Sequence, residues 1–219
     1  MTRRFRSGVV ALAAALVALA PGWPASPAAA HHVGAYTARD NEMSANFKQI
    51  KFSIQAQKFD VALRLFDAGP LRKEMQTQAA RLPTGLETST RAALQRGDGK
   101  AVELDLALFF AALARDLALE AERKLAGAGA SPEARAAAGA KFLEAIWRYY
   151  NLVDFAISER DSRTAVAVRL SFEDAEGYAK GIGRATKAPD PQKMRAPLLR
   201  LAQILDDFIR SATPPRRDS

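Results

Sequence analysis

The stretch from Lys141 to Asp161 repeats its apolar residues at the spacing of an α-helix. One row advances by steps of four, three, four and three residues, which keeps its members on one helix face. That row consists of Phe142, Ile146, Tyr149, Val153 and Ala156, and a second row beside it consists of Leu143, Trp147, Tyr150 and Asp154. The combined apolar arc is wider than one partner helix can cover, so the sequence predicts a central helix that contacts at least two others.

The same periodicity recurs along the chain, in stripes that begin near Met43, Val102, Ala165 and Met194. No segment alternates apolar and polar residues as a half-buried strand does. Most connections between the stripes are short, which favours antiparallel neighbours. The predicted fold is therefore an all-α antiparallel bundle of about five to seven helices.

Several residues mark where these helices begin and end. Asp98 and Ser131-Pro132 are typical helix starts, and Asp190-Pro191 restarts a helix near the C-terminus. Gly69-Pro70 predicts a kink or break. Thr84 to Glu87 has the T-x-x-E form of a capping box, which predicts a short helix with Thr84 as its cap.

The first 30 residues have the pattern of a secretory signal peptide. Three arginines precede the apolar run 8–20, and small residues at Ala28 and Ala30 predict cleavage before His31. The run is shorter than the roughly 20 residues that a membrane helix needs, so no stable transmembrane anchor is expected. The domain boundaries that follow are 1–30 for the signal peptide, 31–211 for the helical bundle and 212–219 for a disordered tail. The expected location is periplasmic or secreted.

Composition narrows the function classes. The chain has a net charge of +8 and contains no cysteine, so disulfides, thiol catalysis, iron–sulfur clusters and covalent c-type haem are excluded. No DNA- or RNA-binding motif accompanies the mild positive charge, and nucleic acid is not an expected partner. The motifs of zinc proteases, serine hydrolases and P-loop enzymes are also absent from the sequence.

The segment from Asp40 to Leu82 resembles the first helix pair of cytochrome c′-type four-helix bundles. The shared features lie in EMSANFKQIKFSIQAQKFDVAL and in MQTQAARLP: Asn-Phe-Lys-x-Ile-Lys near the start, an F-D-x-A restart and a Leu-Pro end. The haem-attachment motif C-x-x-C-H of that family has no counterpart in this chain. The resemblance therefore implies a helical-bundle architecture.

His31 and His32 are the only histidines and are the predicted metal ligands. Cleavage before His31 would place a free α-amine beside its imidazole, and together these nitrogens chelate Cu(II) or Ni(II). An accidental pair at a flexible end is the alternative. Met43, Met75 and Met194 lie on apolar stripes and favour core packing, although thioethers also bind copper or haem iron. Copper and non-covalent haem are thus the candidate cofactors.

Two sets of acidic residues invite a functional interpretation. Asp105 and Asp116 return to one side of a long helix, with Arg115 and Arg123 near enough to pair with them, and we expect a solvated stripe. Asp154 shares its row with Trp147 and Tyr150, which predicts a buried polar site. If Asp154 is buried it requires a donor, and Tyr150 or an arginine from a neighbouring helix is the expected partner. A structural ion pair and a ligand-binding acid both satisfy this pattern.

These observations favour a non-enzymatic binding or accessory module of the bacterial envelope. Its expected partner is another envelope protein or a small ligand, and a homodimer is left open. The alternative is a metal- or haem-binding protein for uptake, storage or electron transfer. No nucleophile and base pair is evident, so catalysis is not expected.

Overall fold

A computed structural model describes residues 40–127, 130–181 and 188–213 of the chain. These residues are all-α, with eight α-helices and no β-strand among them. The α-helices are α1 (Glu42–Gln55), α2 (Phe59–Ala68), α3 (Pro70–Thr77), α4 (Leu86–Arg96), α5 (Gly99–Ala126), α6 (Pro132–Arg160), α7 (Ser162–Lys180) and α8 (Pro191–Ala212). A single 3-10 turn, Ala79–Arg81, follows α3. The count exceeds the predicted five to seven because the segment before Pro83 divides into three short helices.

The long helices begin where the sequence predicts. Asp98 accepts a hydrogen bond from the backbone N–H of Ala101 at 3.1 Å. Ser131 and Asp190 cap α6 and α8 in the same way, and in both helices a proline occupies the first turn. These side chains satisfy backbone donors that have no partner within the helix.

The predicted capping box at Thr84 is wrong in its position. The N-cap of α4 is Gly85, which has no side chain to accept a hydrogen bond and adopts a left-handed φ of 76°. A left-handed backbone costs glycine little, because it has no Cβ. The helix consequently starts at Leu86, one residue later than a Thr84 cap would place it.

The helix at the centre of the fold is α5, whereas the sequence predicts α6. Helix α5 packs against α4, α6 and α8. It is buried nearly all round, because small residues on its remaining faces let neighbouring helices approach closely. Five of its alanines are at most 1% exposed: Ala111, Ala112, Ala114, Ala118 and Ala121. Helix α6 packs mainly against α5 and α7, which confirms that it contacts at least two helices.

The four long helices are successive neighbours. Helix α7 packs against both α6 and α8, and these two in turn pack against α5, so α5 to α8 form a closed ring of contacts. The short helices form a second group, in which α1 packs against α2 and α3. This group joins the ring through α4 and through an edge-to-face contact of Phe47 with Phe110, whose ring centroids are 5.1 Å apart.

Asn46 stabilises the predicted break between α2 and α3. Its side-chain amide donates to the Leu65 carbonyl at 3.1 Å and accepts from the Leu71 N–H at 3.3 Å. It therefore pairs one backbone group from each side of the break. Gly69 lies directly against it, since a Cβ at this position would come within 2.3 Å of the Asn46 Oδ1 atom.

Helix α8 continues through Ala212, and the Thr213 N–H donates to the Ile209 carbonyl at 3.1 Å. The first residue of the predicted tail is thus helical. Pro197 lies inside α8, where it lacks the N–H that a helix interior normally uses. No helix in the described ranges has both the length and the apolarity needed to cross a bilayer.

Candidate ligand-binding groove

A groove of about 360 Å³ opens where α1, the first half of α5 and the second half of α6 come together. Ligand sites in proteins usually have volumes of roughly 300–1,000 Å³, so this groove is large enough for a small molecule. Half of its lining residues are apolar. They are Phe47, Ile54, Phe59, Leu106, Leu152, Val153 and Ala156.

The apolar walls grade from buried to accessible. Phe47, Leu106 and Val153 are at most 5% exposed and belong to the core. Ile54 and Leu152 are half-buried and pack against that core from the side. A ligand in the groove would therefore contact rigid core side chains below and more accessible ones at the rim.

One end of the groove is formed by the connections before α2 and α5. Gln57 adopts a left-handed φ of 58°, the only positive φ among the described residues other than glycine. Gly97 ends α4 in the same left-handed region, with φ 70°. A Cβ on Gly99 would lie 3.0 Å from the Ile54 Cγ2 atom, so the backbone of α5 passes close to α1 here.

At the Phe47 side, aromatic residues link α1 to α6. Phe110 lies between Phe47 and Tyr149, with ring centroids 5.1 and 5.9 Å from them. The Tyr149 hydroxyl accepts a hydrogen bond from the Asn41 Nδ2 atom at 3.2 Å. Asn41 is also the N-cap of α1, so the start of this helix is held against α6.

Three charged side chains line the groove: Lys51, Lys100 and Glu103. Lys51 is half-buried, and within the described residues it forms neither an ion pair nor a hydrogen bond. It lies four residues after Phe47 and three before Ile54, on the apolar face of α1. Lys100 and Glu103 are exposed and also border a neighbouring depression of about 270 Å³, which is lined further by Arg160 and Phe208.

Two of the most exposed aromatic residues stand beside the groove. Phe52 is 70% exposed and lies one turn before the lining residue Gln55. Phe155 is 63% exposed and lies one turn after Leu152. Residues three apart are neighbours on a helix surface, so each phenylalanine lies next to a residue that lines the groove.

A second pocket, of about 510 Å³, is more strongly charged. It lies between α3, α5 and the start of α1. Arg115 at its edge donates to Asp116, Asp206 and the Arg81 carbonyl. Because this arginine already has partners and the charges in the pocket balance, the apolar groove is the better candidate for a ligand site.

The predicted polar site at Trp147, Tyr150 and Asp154 is an ion pair between α6 and α7. Asp154 accepts two hydrogen bonds from the guanidinium of Arg169, which is the arginine of a neighbouring helix that the pattern predicts. Tyr150 is 1% exposed, and its hydroxyl lies 3.4 Å from the Ala165 carbonyl. Burial, and then the nearby charge of Asp154, raise the pKa of Tyr150 far above its usual value.

Trp147, on the same helix as Asp154, packs against Tyr150 and against Phe172 of α7. The Trp147 ring is centred 5.0 Å from that of Phe172 and 6.1 Å from that of Tyr150. The polar atoms of Asp154 and Arg169 bind each other, which favours a structural role for this site.

The sequence predicts that Asp105 belongs to a solvated stripe, and this is wrong. Asp105 is only 8% exposed, on the side of α5 that faces α4. Burial raises the pKa of its carboxyl group, and the hydroxyls of Ser89 and Thr90 offset only part of the effect. The Thr90 hydroxyl donates to the Leu86 carbonyl, and Asp105 Oδ2 has no hydrogen-bond partner. Asp116 is partly exposed and pairs with Arg115, as expected. The signal for Asp105 was its position on the stripe that also carries Val102.

The metal-binding predictions rest on residues of two kinds. His31 and His32 lie outside the described residues, and copper binding there stays a prediction. Met75 and Met194 are at most 1% exposed in the core, and Met43 is half-buried. Within the described ranges, no cluster of three or more histidine, cysteine or acidic residues has the arrangement of a metal site.

Comparisons with protein-family models, with curated proteins and with solved structures find no match to this chain. The candidate site therefore rests on geometry alone. Sequence patterns do not reveal the groove, because its lining comes from three segments, 47–59, 97–106 and 152–156, that are distant in sequence. One signal was present: Lys51 interrupts the apolar stripe of α1.

Proposed function

We propose that this chain is an exported helical-bundle protein that binds a small apolar ligand in the groove between α1 and α6. The observation that carries the proposal is the groove itself, which combines core-supported apolar walls with a few polar groups at its rim. Its role is that of a binding or accessory module of the periplasm rather than an enzyme. Export is supported by the signal-peptide pattern of residues 1–30.

The proposed bundle is antiparallel. This arrangement is supported by two ion pairs between α5 and α8, in which Arg115 contacts Asp206 and Glu122 contacts Arg195. The order of the partners along α8 is the reverse of their order along α5. A rigid bundle of this kind would hold one wall and the floor of the groove in place for a ligand.

The binding test uses the neutral fluorophore N-phenyl-1-naphthylamine, which becomes brighter in apolar sites. Ala156 is half-buried in the groove wall, so Ala156→Phe should fill the groove and abolish the fluorescence increase. Ala137→Phe is the matched control, because Ala137 is exposed on the same helix away from the groove. Equal fluorescence from wild type and both variants would contradict a ligand site in the groove.

A further inference from the structure

We infer that the ligand class of the groove is an unbranched alkyl carboxylate, whose carboxylate is held by Lys51 and Lys100 while its chain lies on the apolar walls. This inference rests on the proposed function and adds the chemistry of the ligand. It follows from the charge of the groove, the position of its lysines and its length.

The charge of the groove favours an anionic ligand. The groove is lined by two lysines and one glutamate, which leaves it an excess of positive charge. Neither lysine forms an ion pair or a hydrogen bond within the described residues. Attraction between opposite charges is stronger beside an apolar wall than in bulk water. A ligand with one negative charge would therefore balance the charge of this groove.

The placement of Lys51 also favours an anionic ligand. A lysine on the apolar face of an amphipathic helix normally extends its ammonium to water along its methylene stem. Lys51 is half-buried and lines the groove together with Phe47 and Ile54 of the same helix. An ammonium group provides three donors around a single point charge, which suits a carboxylate at the end of a flexible chain.

The groove is also long enough for an extended chain. Its lining along α1 runs from Phe47 to Gln55, which is about 12 Å at the rise of an α-helix. Along α6 it runs from Leu152 to Ala156, and none of these wall side chains carries a polar atom. Gln55 and Gln57 also line the groove, and their side-chain amides can donate hydrogen bonds to a carboxylate.

The experiment compares three probes with the same alkyl chain: sodium octanoate, octylammonium chloride and 1-octanol. Each is titrated into methyl-labelled protein, and the methyl NMR signals of Ile54, Leu152 and Val153 report occupation of the groove. Octanoate should bind at least tenfold more tightly than octylammonium. Affinity should rise about fourfold for each methylene added from hexanoate to octanoate.

Substitution of the lysines separates charge from packing. Lys51→Gln and Lys100→Gln should each weaken octanoate binding fivefold or more while leaving 1-octanol binding unchanged. Lys141→Gln, at an exposed position on α6 outside the groove, is the matched control and should change neither.

The outcomes distinguish the two proposals. Equal affinities for the three probes, or octanoate binding that is insensitive to both lysine substitutions, would overturn the carboxylate assignment and leave the groove as a ligand site. No change in the groove methyl signals with any probe would overturn both.

Discussion

The break between α2 and α3 offers the sharpest test of how this fold is stabilised. We expect Asn46→Ala to lower the free energy of unfolding by about 2–4 kcal/mol. The substitution leaves the Leu65 carbonyl and the Leu71 N–H without partners, and a buried unsatisfied polar group costs about 1–3 kcal/mol. Asn151→Ala, at an exposed position on α6, is the matched control and should change the stability by less than about 0.5 kcal/mol.

Gly69→Ala tests the same contact from the other side. The new Cβ would lie 2.3 Å from both the Asn46 Oδ1 atom and the Leu65 carbonyl oxygen, so the chain must shift. Overpacking of this kind costs about 1–3 kcal/mol. Removing the Asn46 side chain eliminates the clashes with its Oδ1 and Nδ2 atoms and leaves the one with the Leu65 carbonyl oxygen. The double variant should therefore be more stable than the sum of the single effects predicts, by about 1 kcal/mol.

Urea denaturation followed by circular dichroism at 222 nm provides the four stabilities of this cycle. The slopes of the transitions should agree, so that differences in midpoint report differences in stability. Two results would refute the reasoning. One is an Asn46→Ala variant as stable as Asn151→Ala, and the other is strict additivity of the two single substitutions.

Three further predictions concern buried or strained side chains. The stability of Asp105→Asn relative to wild type should increase as pH rises from 4 to 7. Burial raises the folded-state pKa of Asp105, so ionisation of this carboxyl destabilises the wild-type fold, and asparagine does not ionise. A difference in urea midpoint between the two proteins that stays constant over this pH range would exclude this cause. Gln57→Gly should stabilise the protein by about 0.5–1 kcal/mol, because glycine adopts the left-handed φ of 58° without strain. Gln55→Gly, in the last turn of α1, should destabilise it, and melting temperatures that change in the same direction for both variants would argue against strain at Gln57. Trp147→Ala should lower the free energy of unfolding by about 3 kcal/mol, the low end for a large aromatic residue, because Trp147 is only partly buried against Phe172. An unchanged urea midpoint would place its ring outside the packed core.

The local features of the fold could be predicted from sequence because each depends on a few adjacent residues. Asp98, Ser131 and Asp190 each cap the helix that follows, and Gly69-Pro70 ends one helix and begins the next. In these places the side chain and the backbone group that it satisfies are within three residues of each other. The prediction that Thr84 caps α4 is wrong, because the left-handed conformation of Gly85, and not a side-chain cap, sets the start of this helix.

Features that depend on distant contacts could not be predicted in this way. As a polar residue Asn46 would be expected on an exposed helix face, but it is 6% exposed, because the fold brings the backbone of Leu65 and Leu71 to its side-chain amide. The groove requires α1 and α6, which are about a hundred residues apart along the chain. Lys51 and Asp105 form an intermediate class, since each interrupts an apolar stripe. A charged residue in such a stripe indicates either a ligand-binding site or a buried charge that destabilises the fold, and the sequence does not decide between them.

The alanine-rich surface of α5 limits how this sequence can change over evolution. Ala111, Ala114, Ala118 and Ala121 are essentially inaccessible, and each lies where a neighbouring helix approaches closely. A larger residue at any of them would separate helices along their whole length, whereas an aromatic residue elsewhere in the core can be exchanged if a neighbour compensates in volume. Divergent homologues should therefore retain small residues along α5 while their aromatic positions drift. A row of alanine, glycine and serine at the spacing of α5 would then identify distant members of this fold better than overall identity.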